Sequence, residues 1–369
     1  MFYQAILTTI ALSAALFASI GVANAADQPI KEDLPAKAVK KVPDIPFFFI
    51  NDNRVTFAYI FSGTSPGYYS VNSDGTINGK TAKQVYAFTH FDAWQYGTNF
   101  LNIAMFKADH NAPAVPCLQV GVTYTGLPAG CAGATNIMGT IRSTFGWNEL
   151  FDTKAFTMAP LRNISFLVGA DSNTANNSVA TSSRDVVAGL QFAFDLPYKG
   201  FFNVAPVMYY EFSTHSGFAQ CGLFGPGVPG VTCLADGNLK YKPTWAIETN
   251  YYMDLGFLPE NLQFFSISGR AAWYGKKGTE SEPLPYSPGR VAFSAVEFNS
   301  EPIRLTFDAS KAMWGQKYSH FLDVWVAYRY WQNRVGFDHN VSTVCNVRPG
   351  VSNNSCTESS LYSGVTVKF

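Results

Sequence analysis

Charged side chains are scarce in this sequence: of its 369 residues, only 14% are Asp, Glu, Lys or Arg. Soluble domains usually carry about 25%. The 26 basic and 26 acidic residues cancel, so the net charge is zero. That balance excludes a nucleic-acid binder that works by bulk electrostatics, and a highly charged disordered chain. Aromatic residues make up 15% of the chain, so the protein needs an apolar environment for much of its outer surface.

Long apolar runs are missing as well, apart from residues 5–26. That run ends in Ala23-Asn24-Ala25, a small-x-small cleavage pattern, and predicts a signal peptide over residues 1–25. A membrane helix is the alternative, because the run is long enough to span a bilayer and no Lys or Arg precedes it. Residues 26–46 are charged and rich in proline, which predicts a periplasmic tether. Residues 47–369 are left as one domain.

Apolar and polar residues alternate with period two through this domain, which is the pattern of strands. Long and short connections alternate between the strands, and aromatic residues gather at strand ends. The predicted fold is therefore all-β, a transmembrane antiparallel barrel of about 12 strands with long extracellular loops and short periplasmic turns. The predicted strands are 54–61, 84–91, 97–109, 137–147, 161–171, 184–195, 201–213, 243–254, 262–274, 291–309, 319–332 and 360–369.

The six cysteines fall into three local pairs, each inside a predicted long connection: Cys117–Cys131, Cys221–Cys233 and Cys345–Cys356. In an exported protein an even number of cysteines predicts disulfides, and local pairing is the simplest connectivity. Zinc binding is the alternative. It would need CxxC spacing or clustered histidines, and the sequence has neither, so we expect no metal.

The zinc-peptidase motif HExxH is absent too. A barrel enzyme that acts on lipid would need a Ser–His pair on its outer wall. His90 alternates with Val85, Ala87 and Phe91, which predicts that its side chain faces the lumen. We therefore expect neither an enzyme nor a cofactor.

Strand parity sends charged residues of both signs, and several rings, into the lumen. Such a lining suits either cross-strand ion pairs that fill the barrel or a mixed polar channel. Aromatic rings in that lining could stack on nucleobases or sugars. The charged set is Arg142, Asp185, Glu211, Glu248, Asp254, Arg270, Arg304, Asp308, Asp323 and Arg329, and the aromatic set is Tyr86, Phe88, Tyr209, Tyr252, Trp325 and Trp331.

Four segments resemble the nucleoside-specific channel-forming outer-membrane protein family, the Tsx-like proteins. They are NDNRVTFAYIF with a following SPG (51–67), THFDAWQYGTNFLNIAMFKAD (89–109), IRSTFGWNELF (141–151) and YRYWQNRVGF (328–337). The resemblance implies a monomeric barrel that admits nucleosides across the outer membrane, and some members of that family are phage or colicin receptors. The cysteine-paired loops and the proline-rich tether depart from the family pattern.

We therefore expect a passive channel for small polar solutes, nucleosides first, in the outer membrane of a Gram-negative bacterium. Its partners would be outer-membrane lipid and the barrel-assembly machinery that receives a last strand ending in Phe369, with no nucleic acid. The alternatives are a plugged structural, adhesive or phage-receptor barrel and a barrel enzyme acting on lipid. The candidate solute-binding residues are Phe48, Tyr209, Glu211, Glu248, Arg270, Asp323 and Arg329.

Overall fold

Twelve long strands make up most of the chain that the computed structural model describes, which is residues 47–109, 111–114, 133–177, 181–222, 229, 233–278 and 295–369. The predicted signal peptide and tether, and the Cys117–Cys131 pair, lie outside these residues. The strands are β1 (Phe48–Thr64), β2 (Lys80–Trp94), β3 (Gly97–Ala108), β4 (Thr135–Gly146), β5 (Leu161–Ala175), β6 (Ser182–Leu196), β7 (Gly200–His215), β8 (Thr244–Asp254), β9 (Phe265–Tyr274), β10 (Glu297–Asp308), β11 (Leu322–Gln332) and β12 (Glu358–Lys368).

Each strand pairs antiparallel with the next along the chain, and β12 returns to pair with β1. At this seam Val55 lies opposite Val367, and the backbone N–H of Phe369 donates to the carbonyl of Asn53 at 3.0 Å. The sheet is thereby closed and keeps no free edge. The prediction of a 12-stranded antiparallel barrel is confirmed.

The connections define two rims. The long-loop rim carries the described residues of the connections 65–79, 109–134, 176–181, 216–243, 275–296 and 333–357, and the short-turn rim carries 95–96, 147–160, 197–199, 255–264 and 309–321.

One long connection is shorter than predicted. Residues 172–183 were expected to form a loop, yet β5 and β6 continue until only 176–181 remain between them. Thr174 pairs with Ser182, and Asn173 pairs with Ser183, to which its side-chain amide donates at 2.5 Å. These polar pairs extend the hairpin without apolar alternation, so the sequence pattern does not reveal them.

The two walls of the barrel differ as a membrane protein requires. Along β1, Val55, Phe57 and Phe61 are exposed on the outer wall, while Ala58 and Ile60 are buried on the inner wall. The same alternation runs along the other strands, so large apolar side chains cover the outside of the barrel. An outer wall of this kind suits lipid and not water.

The facing predicted for three residues of β2 is wrong. Val85 is 1% exposed and lies opposite the inward Ala58, whereas Tyr86 is 42% exposed and lies opposite the outward Phe57. Tyr86, Phe88 and His90 therefore belong to the outer wall. At this level of the barrel the small apolar side chains of Val85 and Ala87 fill the inner wall, and the large rings of Tyr86 and Phe88 face outward.

Aromatic rings crowd the short-turn rim. Trp94 contacts Tyr96 and Phe145 with ring centroids 5.4 and 6.1 Å apart, and Trp314 contacts Phe321 at 6.3 Å. Rings at this level are typical of the interfacial belt of a membrane barrel. Two short helices lie at the same rim, α1 (Trp147–Leu150) and α2 (Ala309–Trp314). No helix in the described part of the chain is long and apolar enough to cross a membrane.

At the long-loop rim, three loops fold into a small hydrophobic core of their own. Phe218 packs against Phe337 with ring centroids 5.5 Å apart, and the disulfides Cys221–Cys233 and Cys345–Cys356 close two of the loops. We call this core the loop cap; its buried members are Tyr68, Phe218, Ala219, Leu239, Tyr241, Phe337, Val344, Cys345 and Cys356. Three of the long loops are thus packed against one another.

Candidate functional site in the barrel lumen

The strand registers place on the inner wall all ten of the charged residues that parity predicted to face the lumen. The two signs of charge are not mixed evenly. Acidic side chains dominate the inner wall of β5 to β8, which we call the acidic wall. Arg270, Arg304 and Arg329 lie on the inner wall of β9 to β11, and we call these arginines, with the neighbouring Arg334, the basic wall.

The acidic wall is a row of carboxylates on neighbouring strands. Asp171 lies opposite Asp185, and Asp185 lies opposite Glu211. Lys277 is one counterion, with its ammonium 2.7 Å from the Glu211 carboxylate. The Asp185 Oδ1 atom is buried without a hydrogen-bond partner in the described part of the chain.

Arg142 is the second counterion of this wall, and it reaches across the lumen. Its Nη2 lies 2.7 Å from Asp171 on β5 and 2.7 Å from Glu248 on β8, four strands away around the barrel. Its Nε also donates to Glu248 at 3.0 Å. The predicted site residue Glu248 thus takes part in an ion pair that spans the lumen.

Tyr209 and Glu211, two predicted site residues, do lie together. The Tyr209 hydroxyl donates to Glu211 at 3.1 Å. The Tyr209 ring, however, is only 6% exposed: it packs on Tyr274 with centroids 5.1 Å apart, and the Lys277 ammonium lies 5.5 Å from its centre. The ring face that was expected to stack on a solute is covered.

On the basic wall, several guanidiniums share two carboxylates. Arg329 and Arg334 both donate to Glu358, at 2.9 and 2.6 Å. Arg304 donates to Glu301 at 2.6 Å and stacks on the Trp325 ring at 3.9 Å. The predicted site residue Arg329 is therefore buried in an ion-pair network near the long-loop rim.

Arg270 differs from these arginines. Its Cα lies opposite that of Asn250, and its side chain is on the inner wall of β9 yet is exposed to solvent. Within the described residues it makes no hydrogen bond or ion pair. Asn250 is also inward and exposed, and accepts a hydrogen bond from Asn203 at 2.9 Å. Solvent therefore reaches the middle of the inner wall at these residues.

Asp323 lies near the other end of the lumen, at the short-turn rim. It accepts from the His320 Nδ1 at 3.1 Å, and Arg54 lies 3.9 Å away. This hydrogen bond to Asp323 raises the pKa of His320 above its ordinary value of 6.5. Asp308, His320 and Asp323 could offer ligand atoms within 4.8 Å of one another. Asp308 already accepts four hydrogen bonds, from Ser310, Ser319 and two backbone N–H groups that include the cap of α2.

Phe48 is the remaining candidate from the sequence. It is the first residue of β1, exposed at the short-turn rim, and its Cα pairs with that of Trp94. Tyr209, Glu211 and Arg329 lie toward the opposite rim. The seven predicted residues thus line several levels of the barrel and do not form one cluster.

Sequence reasoning missed a group of polar side chains on the outer wall of β1 to β4. His90 contacts Asn53 at 2.8 Å and Asp92 at 3.1 Å through its two ring nitrogens. Asn99 donates to Asp92 at 2.8 Å, and Ser143 donates to Asn99 at 2.7 Å. The outward Ser143 therefore donates to an amide oxygen and not to His90, and no base among the described residues contacts this hydroxyl as nucleophilic catalysis requires.

The sequence matches no protein-family model and no curated protein. Among solved structures, the translocator domain of the autotransporter NalP from Neisseria meningitidis is similar at 8% identity and a TM-score of 0.38, with 87% of this chain and 89% of that chain covered. OpdK from Pseudomonas aeruginosa with vanillate is similar at 8% identity and a TM-score of 0.32, with 86% of this chain and 98% of that chain covered. A BenF-like porin from Pseudomonas fluorescens is similar at 9% identity and a TM-score of 0.29, with 88% of this chain and 99% of that chain covered.

Proposed function

We propose that this barrel is a passive channel of a Gram-negative outer membrane for small polar solutes, with nucleosides as the first class to test. Its outer wall is apolar enough for lipid, and its inner wall carries charges and amides. The observation that carries the proposal is the exposure of Arg270 and Asn250 inside the closed sheet. Solvent-exposed polar side chains on an inner wall are what a diffusing solute would contact.

Nucleosides are supported by the resemblance of the four segments quoted above and by the chemistry of the lumen. A nucleobase edge offers both donors and acceptors, and ribose offers hydroxyls. Asn250 and Arg270 present an amide and a guanidinium, while Glu248 and Asp323 present acceptors farther along the wall. Because the Tyr209 ring is covered, hydrogen bonds and not stacking on that ring would hold the base.

A single-channel recording in planar bilayers tests the proposal. The protein should open pores, and adenosine or thymidine should reduce the ion current at lower concentration than glucose does. Asn250→Ala should weaken the nucleoside block, and Tyr209→Phe should leave the block unchanged. Equal block by nucleosides and glucose would leave only a general small-solute pore.

A second candidate is a plugged barrel whose function lies in its loops, for adhesion or as a phage receptor. The loop cap favours it, because three loops packed on one another can cover the mouth of the barrel and present a fixed surface. The same recording separates the two candidates. No conductance from well-folded protein, together with conductance after the cap is deleted, would support the plugged barrel.

A further inference from the structure

The basic wall carries more positive charge than its own carboxylates neutralise. Arg270, Arg304, Arg329 and Arg334 are four guanidiniums, which stay charged at any physiological pH. Their carboxylate partners are two, Glu301 and Glu358. Within the described residues this group therefore has a formal excess of two positive charges.

The groups that surround it do not remove this excess. Lys83 adds an ammonium, whose hydrogen bonds go to the carbonyl of Thr64 and the hydroxyl of Ser65. Glu297 is the next carboxylate, but it accepts from Trp331 at 2.6 Å and lies 4.0 Å from Lys277, a cation of the acidic wall. Asp109, whose charge acts on Lys83, accepts from the Thr81 hydroxyl and from the backbone N–H of Ala82.

Arg270 is the arginine of this group through which the excess positive charge can contact a solute. Its Cα lies opposite that of Glu301 on β10, and the charges of Glu301, Arg304 and Arg329 act on it. Arg304 and Arg329 are both held by carboxylates and by rings, with Arg304 on Trp325 and Arg329 5.4 Å from Tyr362. Arg270 alone of the four is exposed and makes no ion pair within the described part of the chain. Its planar fork of donors matches an oxyanion.

We propose that Arg270, with the charge of Arg304 and Arg329 behind it, forms an anion-binding site in the lumen that accepts the oxyanion of a small organic acid or phosphate monoester. This deepens the proposed channel function and rests on it. The solutes that bind best would then carry a carboxylate or phosphate besides a polar body. A nucleoside 5′-monophosphate would be preferred over its nucleoside, and a sugar acid over its sugar.

Ion selectivity and block test the site in the full-length protein. Under a KCl gradient the reversal potential should show chloride preferred over potassium. Adenosine 5′-monophosphate should block at a concentration about tenfold below that of adenosine, as expected for one charge-assisted hydrogen bond. Glucuronate is compared with glucose in the same way, which separates a phosphate preference from a carboxylate preference.

Arg270→Gln should remove most of the chloride preference and most of both differences in block. The variant is expected to keep its fold because Arg270 holds no ion pair among the described residues. The matched control is Arg162→Gln, which removes the same charge from an exposed rim residue paired with Asp195 at 3.3 Å. It should change none of these measurements. Cation preference in the unmodified protein, or an unchanged Arg270→Gln variant, would overturn the site while leaving the channel intact.

If the protein does not conduct ions, a binding measurement still tests the anion site. Calorimetric titration of the detergent-solubilised protein with adenosine 5′-monophosphate should give heat that Arg270→Gln abolishes and Arg162→Gln retains. Such a result without conductance would show that the anion site exists in a closed barrel, so the channel proposal alone would fail. Absence of Arg270-dependent binding of both the monophosphate and glucuronate would overturn the anion site.

Discussion

The guanidinium of Arg142 lies between Asp171 and Glu248, with its Nη2 atom 2.7 Å from a carboxylate oxygen of each. Because β4 and β8 are four strands apart, the Arg142–Glu248 ion pair crosses the lumen and does not join neighbouring strands along the wall. It narrows the lumen at one level and is one of two cations that balance the acidic wall.

Arg142→Ala should therefore have two effects. The single-channel conductance should rise, because the Arg142 side chain and its ion pair with Glu248 no longer span the lumen. The free energy of unfolding should fall by roughly 1–3 kcal/mol, because two carboxylates lose charged hydrogen bonds. Urea unfolding and bilayer recordings measure both, with Arg162→Ala as an exposed control. An unchanged conductance would mean that another level of the lumen limits the current.

The facing of the strands predicts unequal costs for the same substitution on the two walls. Val324 is exposed on the outer wall, whereas Asn250 is exposed on the inner wall. Val324→Arg should destabilise the protein by about 2–4 kcal/mol in reconstituted lipid, because an arginine then faces hydrocarbon. Asn250→Arg should cost far less, since its charge faces solvent. Equal urea midpoints would contradict the assignment of the walls.

His320 should make stability depend on pH. Its pKa is raised above 6.5 in the folded protein by its hydrogen bond to Asp323, and Asp308, Arg54 and Tyr252 also face it. The protonated form is therefore stabilising below pH 6.5, and this contribution is lost as pH rises through the raised pKa. Urea midpoints measured from about pH 5 to pH 9 should fall more for the unmodified protein than for His320→Gln. Parallel profiles would remove His320 as the cause.

The disulfides should stabilise the loop cap and not the barrel. Cys345→Ser with Cys356→Ser should make residues 333–357 sensitive to chymotrypsin while the strands stay protected, because Phe337 and Val344 then lose a covalent constraint on their packing. The cleavage sites can be mapped by mass spectrometry. If the barrel strands are cut at the same rate, the cap and the barrel unfold together.

Non-reducing peptide mapping should also recover a bridged Cys117–Cys131 peptide.

The sequence was sufficient to predict the strand number and most facings, because alternation is a local property. Along β11, Val324 and Val326 alternate with Asp323 and Arg329, and both walls are as predicted. Along β2 the same reasoning was wrong, since Val85 and Ala87 are apolar but inward. The useful signal at this level is size: the outward residues Tyr86 and Phe88 are large, whereas the inward Val85 and Ala87 are small.

The arrangement inside the lumen could not be read from the sequence for a different reason. Arg142 and Glu248 are 106 residues apart, and no spacing rule connects them. The excess charge near Arg270 likewise depends on which carboxylates reach which guanidiniums. Net charge and parity place these side chains in the lumen but do not decide their partners.

The loop cap also determines where foreign peptides can be displayed on this barrel. Gly75 lies at the tip of the small hairpin of Ser70–Val71 and Ile77–Asn78, and a Cβ atom added there would meet nothing within 4 Å. Gly79, four residues on, would place a Cβ atom 2.1 Å from the Asn353 carbonyl oxygen. An epitope or fluorophore tag inserted at Gly75 would stand clear of the packed loops, whereas one at Gly79 would force apart the joint between two of them.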